Sequence, residues 1–279
     1  MASERVHQFS RDGLTFQVRD EGPVEAQGTV LLLHGFPQTP SAFDGVAPEL
    51  HEAGLRTLAP AQRGYSPGAR PTARSAYRIG AIADDALALL DAAGVAQAHV
   101  LGHDWGGMAA WALAGLHPER VASLTVLSTP HPAALGWSFT HSSQGLRSWY
   151  MGFFQLPWLP EHLIAGRMER QLRSSGVPAA AAAEYAAALA EPGALAGALG
   201  WYRGLPASRA DHIGRIRVPT TYVWGRHDFA LGRAAAQATR RYVSAAYLFV
   251  ELEAGHWLPE NNAAEVAALT LDRVESVAD

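Results

Sequence analysis

Apolar residues follow two different periods along the chain, and these periods predict alternating strands and helices. Six short apolar runs predict buried β-strands. They lie at 28–33, 55–58, 100–102, 124–127, 220–224 and 247–250. Helical spacing predicts helices near 41–53, over 77–93 and over 106–116, and alternation at 6–9 and 14–18 predicts a hairpin. We therefore predict an α/β fold with a mostly parallel, eight-stranded sheet and helices on both faces.

The strand–helix alternation stops near residue 131 and resumes after 214. The residues between are rich in aromatic side chains first and in alanine later, and the stretch 179–188 predicts a helix with two faces. We predict that 131–214 forms a helical lid inserted into a core domain. That core domain would comprise 1–130 and 215–279.

Composition narrows the class of protein. The chain has 279 residues, of which 48% are hydrophobic and 17% charged, as in a globular protein. The net charge is −4, and basic residues do not cluster in the sequence. We therefore expect neither a nucleic-acid partner nor a membrane partner. The chain has no cysteine, no signal-peptide pattern and no apolar stretch of membrane-spanning length. We expect a cytoplasmic monomer or homodimer.

Asp104 stands at the centre of Gly-His-Asp-Trp-Gly at 102–106, between a predicted strand and a predicted helix. This arrangement is typical of a nucleophile elbow, a strained turn that exposes its central side chain. An aspartate there is already ionised, and its productive target is a saturated carbon that bears a leaving group, which gives an alkyl-enzyme ester. The alternative interpretation is that Asp104 caps the following helix.

Two further residues complete a possible catalytic triad. Asp228 follows the predicted strand 220–224, and His256 follows 247–250. The chain order of nucleophile, acid and histidine is the one that α/β-hydrolases use. The alternatives are that Asp228 only forms a turn and that His256 is an ordinary loop histidine.

The aspartate elbow, the His-Gly-Phe-Pro turn at 34–37 and the Gly-His-Trp at 255–257 resemble the soluble epoxide hydrolases of the α/β-hydrolase fold. The resemblance covers roughly 14–130 and 216–275. It implies that Asp104 attacks an epoxide carbon and becomes esterified. His256, oriented by Asp228, then activates the water that hydrolyses the ester.

Ester hydrolysis creates an oxyanion that needs hydrogen-bond donors. The backbone N–H of Trp105, one residue past the nucleophile, is one candidate. The N–H of Phe36 is the other, because Pro37 has no N–H to donate. The alternative interpretation of the 34–37 turn is an ordinary strand end.

The resemblance also implies two lid tyrosines whose phenols donate hydrogen bonds to the epoxide oxygen. Trp-Tyr-Arg at 201–203 is similar to the second motif, so Tyr202 takes that role. The first tyrosine is expected just before Phe-Gln at 154–155, where Phe153 stands. Tyr150, one helical turn earlier, either replaces it or packs among neighbouring aromatic side chains.

Several aromatic residues are expected to contact a small apolar substrate, and water is the second reactant. They are Phe36, Trp105, Trp149, Phe153 and Trp257. No spacing of histidines and acids suggests a metal, and the reaction implied needs no cofactor. We interpret His103 and Arg63 as structural and the pair Asp84-Asp85 as part of a solvated helix face.

Other functions remain open from the sequence. Haloalkane dehalogenases share the aspartate elbow, but the Asn that often supplies their second halide donor is replaced by Phe36. Fluoroacetate dehalogenases carry arginines near the elbow, where Trp105 and Met108 stand here. A non-catalytic homologue that binds a small ligand is a third possibility.

Overall fold

One eight-stranded sheet organises this computed structural model, which describes residues 5–277. The strands are β1 (Gln8–Arg11), β2 (Leu14–Glu21), β3 (Gly28–Leu33), β4 (Leu55–Pro60), β5 (Ala98–His103), β6 (Val121–Leu127), β7 (Thr220–Gly225) and β8 (Tyr247–Leu252). They lie in the order β1-β2-β4-β3-β5-β6-β7-β8. The pairs β1–β2 and β2–β4 are antiparallel and the other five are parallel, which confirms the predicted sheet and hairpin.

The described residues also form thirteen α-helices. They are α1 (Ala47–Glu52), α2 (Ile79–Ala92), α3 (Trp105–Leu116), α4 (Pro132–His141), α5 (Gln144–Arg147), α6 (Trp149–Phe153), α7 (Leu159–Ile164), α8 (Met168–Ser174), α9 (Ala179–Ala190), α10 (Ala194–Gly204), α11 (Arg233–Ala238), α12 (Leu258–Asn261) and α13 (Ala263–Glu275). Short 3-10 helices lie at Pro40–Phe43, Pro67–Ala69, Arg74–Tyr77, Pro118–Arg120, Ala165–Arg167, Ala207–Ala210 and Thr239–Tyr242. Among residues 5–277, no helix is both long enough and apolar enough to cross a membrane.

The strand order places helices on both faces of the sheet. The chain steps one way across the sheet from β3 to β4 and the other way from β4 to β5. Because parallel crossovers are right-handed, α1 and α2 lie on opposite faces. In agreement, α2 packs on α3, whereas α1 packs on α13.

The chain between β6 and β7 is helical throughout its regular structure. Helices α4 to α10 lie there, and we refer to 132–210 as the helical segment. The predicted helix over 179–188 is confirmed by α9. The division of the chain into a core domain and a lid stays a prediction.

Helix α3 lies very close to the sheet at its start. A Cβ atom at Gly106 would lie 2.0 Å from the backbone oxygen of Leu33 in β3, so only glycine fits there. This close approach fixes the position of the turn between β5 and α3.

The interpretation of Asp84-Asp85 as a solvated pair is wrong for Asp85. Its side chain is buried and accepts hydrogen bonds of 2.7 and 2.6 Å from Nε and Nη2 of Arg63. Arg11 on β1 adds a contact at 3.0 Å. Arg63 therefore forms a buried ion pair that joins the loop after β4 to α2. This agrees with the interpretation of Arg63 as a structural residue.

Candidate active site

Asp104 occupies the sharp turn between β5 and α3. Its backbone has φ 50° and ψ −119°, a conformation that non-glycine residues rarely adopt and that the surrounding structure must hold. The side chain makes no capping hydrogen bond to α3, so the alternative interpretation as a helix cap is wrong. Instead, its Oδ1 accepts a hydrogen bond of 2.8 Å from the backbone N–H of Phe36.

The turn after β3 approaches Asp104 closely because Gly35 has no side chain. A Cβ atom there would lie 2.4 Å from Cβ of Asp104 and 2.8 Å from its Oδ1. Trp105 begins α3, and N–H groups in the first turn of a helix have no intrahelical acceptor. Of the two N–H groups expected as oxyanion donors, that of Phe36 donates to the Asp104 carboxylate, and that of Trp105 follows Asp104 directly in the chain.

His256 lies between two carboxylates. Its Nδ1 is 2.8 Å from Oδ2 of Asp228, and its Nε2 is 3.6 Å from Oδ2 of Asp104. The second oxygen of Asp228 accepts hydrogen bonds from the backbone N–H groups of Ala230 and Leu231, at 2.8 and 2.9 Å. Asp228 thus holds the proton of His256 on Nδ1, and Nε2 is directed towards Asp104.

Electrostatic interactions within the site shift the pKa values of His256 and Asp104. Burial lowers the pKa of His256, but the charges of Asp228 and Asp104 and the hydrogen bonds to them outweigh burial and raise this pKa to about 10. Burial also opposes ionisation of Asp104, yet hydrogen bonding and the charge of His256 hold the pKa of this carboxyl below its usual value. At neutral pH the site therefore holds an ionised Asp104 beside a protonated His256.

Two tyrosines of the helical segment share a cavity with Asp104. They are Tyr150 in α6 and Tyr202 in α10, and their ring centroids lie 6.0 Å apart. Burial raises the pKa of both phenols above the ordinary value, so both remain protonated and able to donate. Phe153 is not part of this cavity wall, whereas Tyr150, three residues earlier, is.

The cavity has a volume of about 200 Å³ and is lined mainly by apolar side chains. Its lining residues are Phe36, Pro37, Asp104, Tyr150, Phe154, Ile164, Met168, Gln171, Leu172, Ser175, Tyr202, Phe229, Ala230, His256 and Trp257. Two of the expected substrate contacts, Phe36 and Trp257, are among them.

The other three expected contacts, Trp149, Phe153 and Trp105, do not line the cavity, which corrects the sequence prediction. Tyr150 and Phe154 are four residues apart and face inward together, which turns Trp149 and Phe153 away. Trp149 is 69% exposed. Trp105 is buried among aromatic rings outside the lining, and only its backbone N–H remains a candidate.

Helices α7 and α8 form a cavity wall that was not predicted from the sequence. Ile164 at the end of α7 and Met168 and Leu172 in α8 recur at intervals of four, a spacing that is typical of one face of a helix. Phe229 was also missed, although it directly follows Asp228. The four-residue spacing was the available signal, but it does not say which surface the helix face covers.

Comparison with known proteins agrees with this architecture. A model of the α/β hydrolase fold family matches residues 28–263. YfhM, an AB hydrolase superfamily protein of Bacillus subtilis, is 33% identical and is matched over 95% of this chain and 96% of its own. Epoxide hydrolase A of Mycobacterium tuberculosis is 31% identical over 94% of each chain.

A solved structure extends the similarity to three dimensions. The crystal structure of epoxide hydrolase A from Mycobacterium thermoresistibile has a TM-score of 0.85 and 25% identity, over 96% of this chain and 97% of that chain. These matches span the sheet and the helical segment together. The chain therefore belongs to the α/β hydrolase fold family, in which it is an epoxide-hydrolase-like hydrolase.

Proposed function

We propose that the protein hydrolyses an epoxide to a vicinal diol through an alkyl-enzyme ester on Asp104. One observation carries the proposal: a single ionised carboxylate lies between a backbone donor and an imidazole. Oδ1 of Asp104 is 2.8 Å from the nitrogen of Phe36, and Oδ2 is 3.6 Å from Nε2 of His256. With Oδ1 held, Oδ2 is free to act as the nucleophile towards a saturated carbon.

The first step opens the epoxide ring. Oδ2 of Asp104 forms a bond to a ring carbon, that carbon's bond to the ring oxygen breaks, and the electron pair passes to the oxygen. Tyr150 and Tyr202 donate hydrogen bonds to this oxygen as its charge develops. Alkylation removes the charge of Asp104, so the pKa of His256 falls. The proton that His256 releases balances the one that the alkoxide takes up.

The second step hydrolyses the ester. Neutral His256 accepts a proton from water at Nε2 while the water oxygen attacks Cγ of Asp104. The oxyanion forms on Oδ1, where the N–H groups of Phe36 and Trp105 stabilise it. The bond between Cγ and the ester oxygen then breaks, the diol leaves with one proton, and His256 keeps the other beside the restored carboxylate.

The cavity favours a small, uncharged, apolar epoxide. Its volume is about 200 Å³, and its lining includes neither arginine nor lysine that could bind a carboxylate. Helices α6, α7, α8 and α10 contribute to the wall. We propose on this basis that the helical segment acts as a lid over Asp104.

Dehalogenation and ligand binding without catalysis are the competing functions. A dehalogenase would use the same Asp104 but would release a halide, which takes no proton from a phenol. A binding protein would have no use for His256 held between two carboxylates. The placement of two phenols beside the nucleophile favours an oxygen leaving group.

A single-turnover reaction of excess enzyme with styrene oxide in ¹⁸O-water tests the proposal. The ester route predicts an unlabelled first diol and one labelled oxygen in the peptide that contains Asp104. Direct labelling of the first diol would contradict the ester route. Release of halide from a haloalkane, without diol from any epoxide, would favour the dehalogenase. Asp104→Ala is the control and should form neither ester nor diol.

A further inference from the structure

Gln38 holds both polar backbone groups of Gly35. Its side-chain Oε1 accepts a hydrogen bond of 2.7 Å from the N–H of Gly35, and its own backbone N–H donates to the oxygen of Gly35 at 3.0 Å. Gln38 is fully buried, so no solvent replaces these contacts. The next backbone N–H along the chain belongs to Phe36 and faces Oδ1 of Asp104. The orientation of this N–H therefore depends on how firmly Gln38 holds Gly35.

Glu260 holds the other end of the same amide. Nε2 of Gln38 donates to Oε1 of Glu260 at 2.7 Å, and the hydroxyl of Tyr185 donates to the same oxygen at 2.9 Å. Tyr185 lies in α9 of the helical segment, and Glu260 lies in α12, four residues after His256. A continuous set of hydrogen bonds thus runs from the helical segment to the turn that carries the Phe36 donor.

The same amide also contacts the histidine side of the site. Oε1 of Gln38 lies 2.8 Å from Nδ1 of His103, and Nε2 of His103 lies 2.9 Å from the backbone oxygen of His256. His103 is fully buried, as expected for a structural residue. Gln38 consequently lies between the donor turn and the loop that carries His256.

We propose that Gln38 and Glu260 are positioning residues that hold the Phe36 N–H on Oδ1 of Asp104 during ester hydrolysis. This inference rests on the proposed ester mechanism. Alkylation withdraws negative charge from the carboxylate, whereas hydrolysis places a full negative charge on Oδ1. A displaced Phe36 donor therefore slows hydrolysis more than it slows alkylation, and the ester accumulates.

Two substitutions of Glu260 test this role, one disruptive and one conservative. Glu260→Leu removes the acceptor for Gln38 and Tyr185. In Glu260→Gln, the amide oxygen can keep both hydrogen bonds, because the other carboxyl oxygen, Oε2, has no hydrogen-bond partner among residues 5–277. Gln38→Leu removes the side chain at the centre of this set of hydrogen bonds, so its effect should resemble that of Glu260→Leu.

The neighbouring Asn261 supplies a matched control. Its side-chain amide donates to the backbone oxygen of Gly176 at 3.0 Å, so it also ties α12 to the helical segment. This contact does not involve Gln38. Asn261→Ala therefore tests whether any loosening between α12 and the helical segment would produce the same effect.

The experiment measures ester formation and decay separately, by rapid quenching and mass spectrometry with styrene oxide. Losing an oxyanion donor outright costs about 10²–10³ in rate, so a displaced donor should slow ester decay by about tenfold to about a hundredfold. We expect this slower decay in Glu260→Leu and Gln38→Leu, and we expect the ester to accumulate in both variants. In Glu260→Gln and Asn261→Ala, the ester should decay at nearly the wild-type rate.

Amide hydrogen exchange of the peptide that contains Phe36 gives a second readout that needs no turnover. We expect faster exchange in Glu260→Leu than in Glu260→Gln. Wild-type ester decay and exchange in both leucine variants would overturn the positioning role alone, as would slow decay in Asn261→Ala. Direct ¹⁸O labelling of the first diol by the wild-type protein would instead overturn the proposed function on which the role rests.

Discussion

Replacing His256 with glutamine should divide the reaction into its two steps. In the protein, Nδ1 of His256 is 2.8 Å from Asp228, and Nε2 is 3.6 Å from Asp104. Glutamine retains an amide that can donate to Asp228, but it has no basic nitrogen to accept a proton from water. The nucleophile, the Phe36 donor and both phenols are unchanged, so Asp104 should still be alkylated.

The expected size of the effect follows from which contacts are lost. General base catalysis contributes about 10²–10⁴ in rate, and ester hydrolysis in His256→Gln should slow by that factor. The hydrogen bond between His256 and the buried carboxylate of Asp228 is charge-assisted, and such bonds contribute about 1.5–3 kcal/mol. The free energy of unfolding should fall by at least this amount, although Asp228 keeps its two backbone donors.

Intact-protein mass spectrometry after brief exposure to styrene oxide measures the outcome. His256→Gln should gain the mass of one epoxide molecule almost completely, and peptide mapping should place it on Asp104. The wild-type protein should show little steady-state adduct. Normal multiple turnover by the variant, or an adduct elsewhere in the chain, would refute this division of labour.

Three further perturbations test other parts of the site. Gly35→Ala places a Cβ 2.4 Å from Cβ of Asp104, so we expect a loss of about 1–3 kcal/mol in thermal or denaturant unfolding and a stronger loss of diol formation; wild-type activity would contradict the close approach. Tyr150→Phe and Tyr202→Phe should each slow alkylation in rapid-quench assays, and the double variant should lose about 10²–10⁴, whereas an unchanged rate would exclude the phenols as donors. The pKa of His256 is raised to about 10, so its ionic stabilisation is complete below about pH 6.5 and is lost as pH rises through about 10. The difference in unfolding free energy between wild type and His256→Gln should therefore shrink over that range, and a constant difference would contradict a raised pKa.

The sheet and the ends of its strands could be predicted because they depend on local patterns. Apolar runs that end in glycine, histidine or aspartate mark both the strand and the point where it reaches the sheet edge. The elbow at Asp104 and the residues Asp228 and His256 follow β5, β7 and β8 at this edge. Their convergence follows from the parallel arrangement of these strands, so the sequence order alone indicated that they would meet.

The cavity wall was harder to predict because it depends on how helices pack. Helix periodicity identifies the apolar face of a helix but not the surface that this face contacts. For this reason Trp149 was predicted to line the cavity and Phe154 was not. Asp85 was misassigned for a related reason. Its partner Arg63 is distant in sequence, and a helix that carries acids on one face looks solvated until its neighbour is known.

In the proposed mechanism, the charges in the site also order the two chemical steps. In the free protein, two carboxylates keep His256 protonated, so it cannot act as a base and cannot activate water before the substrate has reacted. Alkylation of Asp104 neutralises one of these carboxylates and leaves only Asp228 beside the ring. The pKa of His256 then falls, and the base becomes available only once there is an ester to hydrolyse. In this proposed mechanism Asp104 acts twice, first as the nucleophile and then, through the loss of its charge, as the group that activates His256.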